Sequence, residues 1–286
     1  SFPGRTEDYH RYLKALKQEL KQRWAPQWQV ATIYIGGGTP TVLPPSALAD
    51  LLHAIRTIAP VQPEAEVTVE ANPGTVDGNG LAQLRAAGVN RLSLGAQSGN
   101  DRFLKVLGRC HTVADVEKTV ALARQVGFAN ISLDLIFGLP GETPDDWRQT
   151  LRWATALQPD HLSCYGLQVE GGTPLYAMVQ EGRVRLPTED EVSAMFLTNT
   201  QLLPAAGYDQ YEISNFARRP KGDEATGGNY QCRHNLIYWR YQDYLGLGVA
   251  AASTLAGHRW ANHCNLEEYI SALDAGTAPP ALTETL

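Results

Sequence analysis

Residues that could hold a charged small molecule stand behind the strand-like stretches of this sequence. The segment "YIGGGTPTVL" (34–43) places three glycines directly after an apolar run, and later runs end near Glu70, Gln97, Asp134 and Gln168. Glycine inside an element costs roughly 0.5–1 kcal/mol relative to alanine. Either a ligand approaches the backbone there, or the chain makes a turn that side chains forbid. Glycine amides can donate to a carboxylate or phosphate, and an opposing carboxylate can hold an ammonium group or a ribose diol. A zwitterionic nucleoside would satisfy all of these groups.

Each of these residues also has a purely structural explanation. A single carboxylate at a strand end, such as Glu70 or Asp134, more often caps the next helix or pairs with an arginine. Gln97 can satisfy a loop carbonyl, and the glycines can form no more than a tight turn. Five such features at one face would have to coincide by accident, however, so their convergence favours a shared binding site.

The elements that carry these residues alternate between strand and helix every few tens of residues, which is typical of parallel βα units. The first helix is predicted at Thr6–Arg23, and later helices begin at the capping residues Thr112, Thr143 and Thr188. A doubly wound sheet and a βα barrel both produce this alternation. The polar strand ends favour the barrel, where they converge on one face, and "GGGTPT" lacks the G-x-G-x-x-G spacing of a dinucleotide-binding sheet. The predicted strands are 30–35, 66–73, 91–98, 130–140 and 161–168.

Composition and charge exclude several classes of partner. The 286 residues are 43% hydrophobic and 19% charged, as in ordinary globular proteins. A net charge of −6 and a pI near 5.7 give no electrostatic reason to bind nucleic acid. The longest stretch of small apolar residues, Leu245–Gly257, is too short and too rich in glycine to be an integral membrane segment. Because no signal peptide opens the chain, we expect a cytoplasmic location.

Six motifs occur in order along the chain: "YIGGGTPT", "TVEANPGT", "RLSLGAQSGND", "VLGRCHT", "ISLDLIFGLPGET" and "QPDHLSCYGLQVEGGTPL". In these motifs, and in the gaps between them, the chain resembles the radical S-adenosylmethionine proteins along nearly its whole length. Within that superfamily, it resembles the branch of the oxygen-independent coproporphyrinogen III dehydrogenases (HemN) and the related haem chaperones (HemW). The resemblance implies an α/β fold with a partial, open parallel βα barrel at residues 1–200 and an additional C-terminal α+β extension at residues 201–286. It also implies S-adenosyl-L-methionine and a 4Fe–4S cluster as cofactors.

Matching these motifs residue by residue implies a cofactor site. In the family, the glycine motif binds the methionyl amino end of S-adenosylmethionine, which implies that role for Gly37, Gly38 and Thr39. No catalytic residue follows from the match. The family's other cofactor-contacting positions correspond to Glu70, Gln97, Arg109, Asp134 and Gln168.

The segment "HNLIYW" (234–239) resembles the H-N-x-x-Y-W signature that the HemW group associates with haem binding. His234 can ligate haem iron, and Tyr238 and Trp239 can supply apolar faces beside the macrocycle. Cys232 is a second candidate axial ligand, or simply a buried thiol. The alternative is that His234 and its neighbour Asn235 only hydrogen-bond a loop while the aromatic residues are part of the core. The sequence leaves these two interpretations evenly matched.

The family's C-x-x-x-C-x-x-C motif, whose thiolates hold the cluster, is absent from the sequence. The cysteines Cys110, Cys164, Cys232 and Cys264 have no usable spacing, so no residue of this chain is a candidate cluster ligand. The sequence begins just after the point where that motif would end, and we expect a longer natural chain to carry it before Ser1.

Three functions remain open at this stage. The first is a haem chaperone that binds haem or a porphyrin and passes haem to acceptor proteins. The second is a radical enzyme that oxidises the propionate side chains of coproporphyrinogen III. The third is a cluster-free barrel that serves only as a binding module.

Overall fold

We describe residues 8–220, 229–279 and 281–285 of the protein in a computed structural model. Its helices are α1 (Tyr9–Arg23), α2 (Pro45–Ile58), α3 (Gly78–Ala86), α4 (Asp101–Val106), α5 (Val113–Gln125), α6 (Pro144–Ala156), α7 (Pro174–Gln180), α8 (Glu189–Ala205), α9 (Arg233–Trp239) and α10 (Leu266–Asp274). Its strands are β1 (Val30–Ile35), β2 (Val61–Ala71), β3 (Arg91–Gln97), β4 (Ile131–Phe137), β5 (His161–Gly166), β6 (Tyr208–Gln210), β7 (Asn215–Arg218), β8 (Ala252–Leu255), β9 (His258–Asn262) and β10 (Ala281–Thr285).

The main sheet confirms the predicted open parallel barrel. Strands β1 to β5 lie side by side in chain order, and each pair of neighbours is parallel. Strand β7 pairs antiparallel with β5, and β6 pairs antiparallel with β7. Among the described strands, β1 and β6 are therefore the two edges of a seven-stranded sheet that does not close on itself.

Side chains alternate along each strand, so the main sheet has one apolar and one polar face. In β3, Leu92 and Leu94 are fully buried in the main core, while Arg91 and Ser93 line a cleft on the opposite face. The same alternation runs through the neighbouring parallel strands. The helices cover the apolar face, which leaves the polar face inside the open barrel as the place for a binding site. The main core includes Ile33, Val67, Val69, Leu133, Leu135 and Leu162 from the strands and Leu48, Leu52, Leu81, Leu84, Trp147 and Leu151 from the helices.

Three helices begin at the predicted capping residues. Thr112, Thr143 and Thr188 each accept a hydrogen bond from the backbone N–H three residues later, and the acidic residue at that position bonds back to the threonine N–H. These reciprocal pairs are capping boxes, and they fix the starts of α5, α6 and α8. The predicted cap Thr6 lies outside the described residues, within which α1 begins at Tyr9.

A second, smaller core joins the first helix to the end of the chain. Strands β8, β9 and β10 form an antiparallel sheet, and α10 packs against α1. Tyr269, Ile270 and Leu273 of α10 are fully buried in a cluster with Ala15 of α1. Strands β6 and β7, although they follow residue 200, complete the main sheet. Over the parts of the chain that the structure describes, no helix has both the length and the apolar character needed to cross a bilayer.

Candidate functional site

A cleft of about 290 Å³, here called the barrel cleft, opens on the polar face of the main sheet. Neighbouring strands bring their polar residues into register there: Glu70 lies opposite Ser93, and Asp134 lies opposite Ser163. Two of the predicted strand-end carboxylates therefore face one cleft. The cleft is lined by Tyr34, Glu70, Arg91, Ser93, Asp134, His161, Ser163, Tyr165 and Asn215 from the sheet and by Cys232, His234, Asn235 and Tyr238 at α9.

Glu70 ties the glycine turn to the cleft. Its Oε1 accepts a hydrogen bond from the Tyr34 hydroxyl at 2.6 Å, and its Oε2 accepts one from the Gly37 N–H at 3.1 Å. Both donors are neutral, and burial raises the pKa of Glu70 despite these two bonds. Gly37 and Gly38 have φ values of 84° and 91°, in the left-handed region that favours glycine. The turn thus depends on its glycines for backbone conformation.

Gly36, the first glycine of the turn, is required for steric reasons and not for its backbone conformation. A Cβ at Gly36 would come within 2.6 Å of the Tyr34 ring and 2.8 Å of the Glu70 carboxyl group. A Cβ at Gly37, by contrast, would meet nothing within 4 Å. Gly36 therefore makes room for the side chains of the site, while the space over Gly37 is open to a ligand.

Asp134 is the second carboxylate of the cleft. It accepts hydrogen bonds from Ser93 Oγ at 2.9 Å and from Ser132 Oγ at 3.3 Å. Burial raises its pKa, while the serine hydrogen bonds and the Coulombic effect of Arg91 oppose this. Within the described residues, neither Glu70 nor Asp134 forms a salt bridge. The hydrogen bonds that these two carboxyl groups accept within the described residues therefore come from neutral groups.

Helix α9 closes one side of the cleft, and Glu66 of β2 holds it there. Glu66 is 7% exposed and accepts the backbone N–H groups of Arg233 at 3.1 Å and His234 at 3.0 Å. The Cys232 thiol lies 3.5 Å from the same carboxylate. Because these N–H groups belong to the start of α9, Glu66 satisfies donors that the helix itself leaves unpaired. "HNLIYW" is thereby fixed inside the barrel.

Both nitrogens of the His234 ring are engaged. Nδ1 lies 2.8 Å from Thr32 Oγ1, and Nε2 lies 2.9 Å from the Tyr238 hydroxyl. The ring also stacks on Tyr34, with centroids 5.1 Å apart. Burial lowers the pKa of His234 to about 4, so the imidazole is neutral at neutral pH. Burial raises the pKa of the Cys232 thiol to about 11, which keeps it protonated.

The aromatic residues of α9 are not part of the core. Tyr238 is 46% exposed and Trp239 is 47% exposed. Tyr238 also lines a second cavity of about 470 Å³, here called the aromatic cleft, together with Tyr241, Tyr244 and Arg259. Tyr238 therefore stands between the two cavities.

The other predicted contact residues lie outside the lining of the barrel cleft. Gln97 is buried at the end of β3, where its side chain and that of Asn72 each come within 2.8 Å of the Cβ position of Gly95. Asn72 in turn donates to Thr39 Oγ1 at 2.8 Å, so Gln97 lies at the same end of the sheet as the glycine turn. Arg109 follows α4, and Gln168 is exposed beyond β5. Contacts from Gln97, Arg109 and Gln168 to a cofactor stay predictions.

The structure also brings in residues that the strand-end pattern did not single out. Glu66 and Arg91 lie earlier in their strands, and Tyr34 precedes the glycines. A signal for them exists in the sequence, because "EVTVE", "RLSL", "SLDL" and "HLSC" place a polar residue at every second position. Strand residues two apart share a face, so this alternation marks a polar barrel interior.

The residues present fit S-adenosylmethionine. The space beside Gly37 is open, and the carboxyl groups of Glu70 and Asp134 form no salt bridge within the described ranges, although Arg91 acts on Asp134 through space. A sulfonium or ammonium group would offset the cost of burying these carboxyl groups. The residues present do not fit a 4Fe–4S cluster, since no group of three metal-ligating side chains occurs in the described chain. Of the four cysteines, Cys164 and Cys232 are buried, whereas Cys110 and Cys264 are exposed.

Comparison with known proteins places the chain in a family. The model of the Radical SAM superfamily matches residues 1–154. The fold is similar to that of coproporphyrinogen III oxidase (HemN) from Escherichia coli, a radical SAM enzyme, with a TM-score of 0.82 and 27% identity over 99% of this chain and 66% of that one. These two matches define the class of fold as a radical SAM barrel.

Relatives with similar sequences identify the family within the radical SAM class. The haem chaperone HemW of Bacillus subtilis is 39% identical over 265 residues, which cover 92% of this chain and 68% of that protein. The haem chaperone HemW of Escherichia coli is 41% identical over 242 residues, which cover 84% of this chain and 61% of that protein. The chain belongs to the radical SAM superfamily and, within it, to the HemW family. It spans roughly two thirds of the length of these relatives.

Proposed function

We propose that the complete protein is a haem chaperone that binds S-adenosylmethionine in the barrel cleft, binds haem beside α9 and passes it to an acceptor protein. The observation that carries this proposal is the position of α9. Its "HNLIYW" segment closes the barrel cleft with His234 on the inside and leaves Tyr238 and Trp239 nearly half exposed. A cytoplasmic location belongs to the same proposal.

The glycine turn and the two carboxyl groups would hold S-adenosylmethionine. Gly37, Gly38 and Thr39 would bind its methionyl amino end, with Glu70 and Asp134 supplying negative charge. In this superfamily, S-adenosylmethionine supplies radical chemistry when it is bound with a reduced cluster. The part of this chain is to orient the cofactor on rigid strand ends and to exclude water from the barrel.

Binding of S-adenosylmethionine should depend on pH. Burial raises the pKa of both Glu70 and Asp134 in the ligand-free protein. A cationic ligand favours the ionised carboxylates, so affinity should fall as the pH drops through the raised pKa values, and binding should release protons there. Calorimetry in buffers of different ionisation enthalpy, between about pH 8 and about pH 5, measures both effects. An affinity that is constant over this range would show that the two carboxyl groups do not bind the cationic ligand.

His234 has the environment of an iron ligand. Its imidazole is neutral, and the bond between Nδ1 and Thr32 Oγ1 orients the ring. Ligating histidines usually donate their other ring N–H to an oxygen in this way. Ligation of haem iron through Nε2 would require that atom to exchange its hydrogen bond with the Tyr238 hydroxyl. Tyr238 can turn away because its side chain is 46% exposed.

The aromatic cleft supports a flat, acidic ligand next to α9. Its three tyrosines offer ring faces to a macrocycle, and Arg259 offers a guanidinium to a carboxylate. Tyr238 and Tyr244 are in edge-to-face contact, with centroids 4.7 Å apart. A porphyrin that leans on Tyr238 would therefore meet this cleft as well.

The similarity in fold to coproporphyrinogen III oxidase supports one alternative, a porphyrinogen-oxidising radical enzyme. Anaerobic incubation of the complete protein with haem, or with S-adenosylmethionine and coproporphyrinogen III, separates the two functions. A chaperone should bind an equimolar amount of haem, release it to an apoprotein acceptor and leave coproporphyrinogen III intact. Decarboxylation without haem binding would establish the alternative instead. If neither occurs, the protein would be a binding module.

A further inference from the structure

Arg91 is a buried residue of the barrel cleft and has no direct partner among the described residues. It is 2% exposed and lines the cleft. Its Nε is buried with no hydrogen-bond partner, and its guanidinium makes no hydrogen bond or salt bridge to any residue that the structure describes. A buried, unpaired cation is costly, and such groups are normally paired.

The carboxylates of Glu66 and Asp134 do not pair directly with Arg91. Glu66 and Asp134 act on it through space and help to raise its pKa. The oxygens of Glu66 are directed at the start of α9, and those of Asp134 accept from serine hydroxyls. His161 also lines the cleft, and its two ring nitrogens are hydrogen-bonded to Ser132 Oγ and to the Tyr211 hydroxyl. Burial lowers the pKa of His161, so its ring is neutral. The guanidinium is therefore directed at the cleft.

We propose that Arg91 makes the floor of the barrel cleft a binding site for a ligand carboxylate. A carboxylate can accept two hydrogen bonds from a guanidinium, and this pairing is strong when water is excluded. Ser163 and Asn215 line the same cleft and offer neutral polar groups around the ligand.

The size of the cleft limits what part of a ligand can reach Arg91. Its volume of about 290 Å³ is at the lower end for small-molecule sites. A carboxylate on a short chain fits, whereas a tetrapyrrole ring would have to remain at the mouth, against Tyr165 and Tyr238, which are 45% and 46% exposed. The carboxylate can therefore come from a tetrapyrrole propionate or from the amino-acid part of S-adenosylmethionine. The first source rests on the proposed haem-chaperone function, and the second does not.

The test compares each acid with a counterpart that lacks the carboxylate. Haem is compared with haem dimethyl ester, S-adenosylmethionine with its decarboxylated form, and propionate with propionamide, by titration or by thermal stabilisation of the complete protein. At least one acid should bind roughly ten- to a hundredfold more tightly than its counterpart, the range of a charge-assisted hydrogen bond. Arg91→Gln should abolish that preference and Arg91→Lys should restore part of it. Arg152→Gln, at an exposed position on α6, is the matched control.

The outcomes distinguish the sources. A preference for haem alone assigns a tetrapyrrole propionate, and a preference for intact S-adenosylmethionine assigns the amino-acid carboxylate even if haem does not bind. The wild-type comparisons test the site even if Arg91→Gln does not fold. If no acid is preferred over its counterpart, or if the preference survives in a folded Arg91→Gln protein, the proposal is wrong and Arg91 only balances the charges of Glu66 and Asp134.

Discussion

Replacing Glu70 with alanine is expected to lower the affinity for S-adenosylmethionine by roughly ten- to a hundredfold. Glu70 holds the Tyr34 hydroxyl at 2.6 Å and the Gly37 N–H at 3.1 Å, so it joins the strand, the glycine turn and the cleft. Alanine would leave both donors unpaired and remove a negative charge from the cleft. Hydrogen bonds to charged groups contribute about 1.5–3 kcal/mol each, and about 1.4 kcal/mol corresponds to a tenfold change in affinity.

The control for this change is on the same strand. Glu64 of β2 is exposed, and its side chain makes no hydrogen bond or salt bridge within the described residues, while its backbone carbonyl accepts a hydrogen bond from Arg233. Glu64→Ala makes the same change in charge and size outside the cleft, so it should leave the affinity unchanged. Calorimetry on the complete, cluster-loaded protein measures both variants. Equal affinities of Glu70→Ala and wild type would show that Glu70 does not contribute to binding S-adenosylmethionine.

The largest loss of stability is expected from Glu19→Ala, which should lower the free energy of unfolding by about 3–5 kcal/mol. Glu19 is fully buried on α1 and accepts four hydrogen bonds. Removing it would take a buried acceptor from four donors at once. The Gly248 N–H and the Tyr269 hydroxyl would lose the acceptor shown for them, whereas Arg23 would keep Asn262 Oδ1 and Asn262 Nδ2 would keep the Gly248 carbonyl. The donors are Arg23 Nε at 2.9 Å, Gly248 N at 2.8 Å, Asn262 Nδ2 at 2.7 Å and the Tyr269 hydroxyl at 2.7 Å.

Chemical denaturation and thermal melting measure this effect. Lys21→Ala, at an exposed position on the same helix, should change stability by no more than about 0.5 kcal/mol. Glu19→Gln keeps the shape but only one acceptor oxygen, so its loss should fall between the two. Equal stability of the Glu19→Ala and Lys21→Ala proteins would show that the Glu19 carboxylate does not stabilise the packing of α1 in the second core.

Local sequence signals were sufficient for the frame of the protein. The alternation of strands and helices predicted the parallel sheet, and the threonine caps predicted the starts of α5, α6 and α8 because each cap is satisfied within four residues. The polar strand ends led to Glu70 and Asp134, since parallel strands carry such residues to one edge. These features depend on spacing along the chain, and spacing can be read directly.

The closure of the cleft by α9 could not be predicted in the same way. His234 meets Thr32 across 202 positions, and Glu66 meets the start of α9 across 167 and 168 positions. No local pattern encodes a contact over that distance. Arg91 is the first residue of β3, so a pattern of polar residues at the carboxyl ends of strands does not include it. The alternation of polar and apolar residues along β3 would have placed it inside the barrel.

Haem titration of four proteins tests most directly whether α9 binds haem through His234: wild type, His234→Ala, Cys232→Ala and the double variant. Because His234 is neutral and oriented by Thr32, while the Cys232 thiol stays protonated, we predict that the histidine alone determines the ligated Soret spectrum. Cys232→Ala should match wild type, and both His234 variants should lose or shift the band. Identical spectra and affinities in all four proteins would contradict this prediction and show that neither His234 nor Cys232 of the α9 region ligates haem.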